Sequence, residues 1–110
     1  VGGLARRAGW LQEAALDQPS LLLDAGGFLQ PGLAPDYAGE LAGLILDLYA
    51  GMGYAAVGVG APELGIPRGV LEQALGTSAI DAVCSNFSDE REPSPLQAVK
   101  RLEVGGRQVV

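Results

Sequence analysis

Histidine is absent from this sequence, and with it goes the commonest general base and metal ligand. A single cysteine, Cys84, excludes both an internal disulfide and a zinc cluster built from thiolates. Set in IDAVCSNF, that thiol reads as a small apolar core residue. Basic residues are few as well. Seven Lys and Arg stand against 13 Asp and Glu, a net charge of −6, and only Arg6-Arg7 and Lys100-Arg101 are adjacent. Phosphate neutralisation needs clustered cations, so this balance argues against nucleic acid as a partner. No apolar run approaches the roughly 20 residues a membrane-spanning helix needs. Val1-Gly2-Gly3 lacks the basic start and apolar stretch of a signal peptide. There is neither an internal repeat nor a low-complexity segment.

What is present describes one globular domain, or a fragment of one, over residues 1–110. The chain is 48% hydrophobic and 18% charged, long enough for one core and too short for two. Leu4, Ala8, Leu11 and Ala15 recur at helical spacing and predict an amphipathic helix over 4–16, ended by Asp17-Gln18-Pro19. SLLLDAG predicts a short strand buried on both faces, as parallel strands are. Leu41, Leu44, Ile45, Leu48 and Met52 predict a second helix over 36–50, closed by Gly51 and Gly53. YAAVGVG predicts a second buried strand with GAPELG as its loop. A third helix follows over 67–75, then a third strand in AIDAVCSNF and the polar loop SDEREPSP. The tail LQAVKRLEVGGRQVV predicts two strands joined at Gly105-Gly106, a two-residue hairpin turn.

Strands alternating with helices imply βαβ units. The expected fold is α/β, a mostly parallel three-stranded sheet with flanking helices that ends in a β-hairpin. The plan opens on a helix and stops at Val109-Val110 inside a strand, so a sheet with open edges is expected. The expectation is a piece of a larger domain, or a domain whose sheet is completed by self-association or by a protein partner.

Five stretches, GGLARRAGWL, LLLDAGGFLQ, LDLYAGMGYAAVGVGAPELG, CSNF and VKRLEVGGRQVV, carry a resemblance in conserved order and spacing. Together they resemble the N-terminal part of 5'-nucleotidases, in the calcineurin-like metallophosphoesterase family, over almost the whole chain. The resemblance implies an α/β sandwich whose strand-end loops hold two divalent metals, in proteins typically exported to the periplasm or cell surface. Where the family's first loop supplies a metal-bridging aspartate, this chain has Gly27. Where the family's next loop reads Gly-Asn-His-Glu, this chain has Gly60-Ala61-Pro62-Glu63, and Asn86 matches an asparagine at a later strand end. The family's aspartate-any-histidine motif would fall before Val1, and its remaining histidines after Val110.

Two dications about 3.5–4 Å apart repel by roughly 17 kcal/mol at an effective dielectric near 20, and a bridging carboxylate offsets much of that. Glycine, alanine and proline bring no side-chain donor for a hard cation, and Pro62 has no N–H for a phosphate oxygen. The expectation is therefore no metal cofactor, no catalytic residue, and a set of vestigial positions: Asp24, Gly27, Gly60, Ala61, Pro62, Glu63 and Asn86. The expected function is a non-catalytic interaction or scaffolding domain. A truncated metal-dependent 5'-nucleotidase-like hydrolase is the alternative, and an anion binder at the helix start after Gly60 is a third reading.

Plainer roles stand beside these. Asp24 suits a strand-end residue capping loop N–H groups. Glu63 suits a first-turn helix carboxylate, and Asn86 a hydrogen bonder bracing its loop. GVGAP lacks the Lys and Ser/Thr of a phosphate-binding loop. Trp10, at the edge of the first helix's apolar stripe, suits packing against a partner or a domain outside this chain, and Tyr54 the core. Asp89, Glu90 and Glu92 read as a solvated acidic loop.

Overall fold

A computed structural model of the chain describes residues 3–14, 18–87 and 94–110. The order of elements is α1 (Leu4–Glu13), β1 (Leu22–Asp24), α2 (Pro35–Gly51), β2 (Tyr54–Gly58), α3 (Ala61–Leu64), α4 (Arg68–Thr77), β3 (Asp81–Val83), β4 (Leu96–Gln97), β5 (Leu102–Val104) and β6 (Arg107–Val109). Strands β1 to β4 form one parallel sheet in the order β1-β2-β3-β4. Strands β5 and β6 form a separate antiparallel hairpin. The architecture is α/β, as the alternation of strand and helix signals implies.

Helices α2 and α4 lie together on one face of the sheet. A Cβ added at Gly39 would stand 2.6 Å from Cγ1 of Val70, so the absent side chain lets the two helices approach closely. The core fills the space beneath them with Ala42, Ile45, Leu46 and Tyr49 from α2, Val57 from β2, Leu71, Ala74 and Leu75 from α4, and Ala82 from β3. Cys84 is buried beside them as a free thiol. Gly105 and Gly106, at φ 56° and 75°, make the tight turn of the hairpin, where two successive left-handed residues are needed.

Four expectations need correction. The sheet has four strands and not three, because Leu96–Gln97 pairs parallel to β3 before the hairpin begins. Two residues of pairing are too short for a periodicity signal. The GAPELG segment is not all loop but carries the one-turn helix α3, started by a proline inside its first turn. Strand β1 is not buried on both faces. Leu23 is 53% exposed, because both helices of the crossovers lie on the other side. Helix α1 stops at Glu13 and not at residue 16, with no fully buried residue; Trp10 is largely exposed on it, as a residue that packs outside this chain would be. Asp89, Glu90 and Glu92 lie outside the described residues.

Candidate functional site

The loops that leave the carboxyl ends of β1 and β2 meet over a contact that permits no side chains. A Cβ at Gly58 would sit 2.6 Å from the Ala25 carbonyl oxygen, and one at Gly26 would sit 3.0 Å from the Gly58 carbonyl oxygen. Gly26 also has φ 101°, a conformation in which L residues are strained. Glycine at both positions thus lets the two backbones approach closely.

The side chain that joins them is Glu63. It follows Gly60 by three residues at the start of α3 and is fully buried. Its Oε2 accepts the N–H of Gly60 at 2.8 Å, the reciprocal bond of a capped helix start. The same oxygen accepts the N–H of Gly27 at 3.3 Å, and Oε1 accepts the N–H of Leu29 at 2.9 Å. One carboxylate therefore satisfies three backbone donors from two loops, 34 and 36 residues apart in sequence for the two β1-side partners. A buried carboxylate is tolerated only when its lone pairs are used in this way.

Asp24 anchors a second group at the end of β1. Its Oδ1 accepts the N–H of Gly26 at 2.9 Å, closing the turn. Its Oδ2 accepts the phenol of Tyr49 at 2.9 Å and lies 3.5 Å from Nη1 of Arg7. Arg7 also donates to the Tyr49 hydroxyl at 3.0 Å and to that of Tyr54 at 3.4 Å. Tyr49 stacks on Tyr54 with ring centroids 4.5 Å apart and meets Phe28 edge-on. Burial, followed by the bond to Asp24, holds the Tyr49 phenol above the ordinary tyrosine range, against the opposing pull of Arg7. Hydrogen bonds to Tyr49 and Tyr54 raise the Arg7 guanidinium, which is ionised at any accessible pH in either case. This group clamps α1 onto the body of the domain. Sequence patterning singled out Asp24 and Tyr54 but neither Arg7 nor Tyr49.

Gly27, Gly60 and Glu63 are thus drawn together, while Asp24 points into its own cluster. Gly27 is exposed with φ 74°, and a Cβ there would meet no atom within 4 Å. Ala61 and Pro62 are the first two residues of α3, with Ala61 exposed. Asn86 is exposed and accepts a weak hydrogen bond from the Cys84 thiol at 3.5 Å, which ties it to its own turn and not to Glu63.

A pair of hard cations does not fit these residues. Gly27, Ala61 and Pro62 carry no side-chain donor, and the oxygens of Asp24 and Glu63 are occupied by N–H and O–H groups of the chain. An anion is no better served at α3. The Gly60 N–H is already given to Glu63, Pro62 has none, and the helix is one turn long. Compared with protein-family models, curated proteins and solved structures, the chain matches none.

Proposed function

We propose that the chain is a non-catalytic domain of metallophosphoesterase-like ancestry that serves as an interaction or scaffolding unit. The observation that carries this reading is the Glu63 staple. In the stretch that resembles a metal-binding loop, the retained carboxylate binds three backbone N–H groups and holds the loops together from within. Gly27, Ala61 and Pro62, at the family's ligand positions, offer no side-chain ligand atom. On this reading the chain retains the strand-end geometry of an active site, with the space between its loops closed by an internal hydrogen-bond network.

The test is hydrolysis. The purified chain, supplied in turn with manganese, zinc and magnesium, should release no phosphate from nucleoside monophosphates or an aryl phosphate. Calorimetric titration with the same ions should find no site tighter than about micromolar, near −8 kcal/mol. Gly27→Asp, Ala61→Asn and Pro62→His made together should still give no turnover, because the resemblance places the remaining metal ligands outside residues 1–110 and two-metal catalysis needs all its roles filled at once. Turnover of about 1 s⁻¹ by the unmodified chain, an ordinary enzymatic rate, would overturn the proposal in favour of a hydrolase.

A further inference from the structure

Helix α2 is apolar on two sides. Its inward side gives Ala42, Ile45, Leu46 and Tyr49 to the core. Along its solvent side Tyr37, Leu41, Leu44 and Leu48 follow at spacings of four, three and four residues. At about 3.6 residues per turn that spacing aligns them in one stripe, the pattern of a helix seam. Tyr37 and Leu44 are each 56% exposed and Leu48 41%, while Leu41 is half-buried where the stripe meets the core. The three exposed residues span about 17 Å of the helix axis. Exposed apolar residues scattered singly need no explanation, but a stripe of large ones along one helix does. A helix apolar on opposite sides is ordinarily one with neighbours on both.

The flank of the stripe says what suits it. Asp36, Glu40 and Asp47 run beside it, all exposed. None has a side-chain hydrogen bond or ion pair among the described residues. Asp36 and Glu40 stand four residues apart, the spacing at which like charges repel along a helix. Between this acidic row and α4 runs a groove of about 700 Å³, with Gly43, Leu44, Val70 and Ala74 among its walls and no lysine or arginine among the described residues that line it. A Cβ at Gly43 would meet no atom within 4 Å, so the groove is open there.

These features choose between occupants. A second copy would bring two acidic rows into one contact, and like-charge juxtaposition disfavours it. Nucleic acid and an anionic membrane surface meet the same repulsion. A helix with Lys or Arg beside its own apolar stripe is complementary on both counts. Its apolar side chains cover Tyr37, Leu44 and Leu48. A long aliphatic stem can lie over Gly43, against Leu44 and Val70, with its cationic head at Glu40 or Asp47.

We propose that the outer face of α2 is the docking surface for a basic amphipathic helix of a partner protein, which sets apolar side chains on Tyr37, Leu44 and Leu48 and a Lys or Arg in the groove over Gly43. The inference rests on the reading of the chain as an interaction unit and names its surface and the chemistry of its partner. Phosphate release and helix binding are measured separately, so failure of one is told from failure of the other.

The probe is a labelled synthetic helix of about 14 residues, with Leu at its a and d positions and Lys at the flanking ones. Fluorescence anisotropy at low salt should give a dissociation constant of about 100 µM or tighter, the affinity of a small contact. Salt at about 0.5 M should weaken it severalfold by screening the exposed charges. The same helix with Glu in place of Lys should bind at least about tenfold more weakly. Leu44→Glu is the deciding variant, because it makes the face more acidic while removing an apolar anchor. Attraction by charge alone would tighten binding, whereas docking on the stripe predicts a loss of at least about tenfold. Glu40→Gln with Asp47→Asn should weaken the complex at least about fivefold and remove most of its salt dependence. Val99→Glu, an equally exposed change at 55% on the other face of the sheet, should leave binding unaltered. All four positions are exposed, and circular dichroism checks that each variant folds. Equal binding of the Lys and Glu helices would overturn the proposal, as would undiminished binding by folded Leu44→Glu. So would no binding at up to about 1 mM, ten times the expected constant. A dimer of the chain alone that Leu44→Glu dissociates would also overturn it, by making the second copy the occupant.

Discussion

Replacing Glu63 by glutamine tests the idea that one buried carboxylate holds two loops in place. The isostere keeps the volume and removes one acceptor. With its remaining oxygen at the Oε2 position, it still serves Gly60 and Gly27, and the amide NH₂ faces the Leu29 N–H, donor against donor. In the opposite orientation, the Leu29 bond survives and the 2.8 Å bond from Gly60 is lost together with the longer one from Gly27. A hydrogen bond to a charged group contributes about 1.5–3 kcal/mol, and an unsatisfied buried donor costs a similar amount. Either orientation predicts a loss of about 2–3 kcal/mol. That is a large share of the roughly 5–15 kcal/mol total for a domain of this size. With a urea dependence of about 1.5–2 kcal/mol/M, the unfolding midpoint should fall by about 1–2 M. Native-state amide exchange should localise the loss, with the Gly27, Leu29 and Gly60 amides exchanging faster than the α2 and α4 amides. A loss below about 0.5 kcal/mol, the range of ordinary surface changes, would refute the staple. So would uniform acceleration of every amide.

Two further outcomes follow from the same loops and their neighbours. Gly58→Ala drives a Cβ to within 2.6 Å of the Ala25 carbonyl, a backbone atom that cannot rotate away. It should cost about 2 kcal/mol and lower the thermal midpoint by about 9 °C; an unchanged midpoint would show that the β1 and β2 loops can separate freely. Tyr49 stays protonated to a higher pH in the folded chain than in the unfolded one, so its contribution is fully present below about pH 10 and is lost as pH rises through the folded value. Alkaline titration of tyrosine absorbance should therefore contain a late component that Tyr49→Phe removes. Its persistence in that variant would place it elsewhere.

Much of the domain follows from local pattern alone. Period-3.6 stripes define α2 and α4, a glycine-bounded apolar run defines β2, and the run AIDAVC between polar flanks defines β3. Gly105-Gly106 defines the hairpin, because its two left-handed residues are cheap only for glycine. The position of Glu63 three residues after Gly60 was legible as a helix-start carboxylate for the same reason, since the Gly60–Glu63 bond spans a single turn. Its other two bonds were not, because they join residues 34 and 36 positions apart, and only the packing of β1 against β2 brings them into reach. Arg7 and Tyr49 carry no local signal for the same reason. Each looks like an ordinary surface arginine or helix tyrosine until α1, β1 and α2 converge on Asp24, 17 and 25 residues away. The composition of β1 predicts burial on both faces, but a strand's apolar run records what it would bury, not where the helices lie. That was decided by the layering, which put α2 and α4 on one side and left Leu23 facing out on the other.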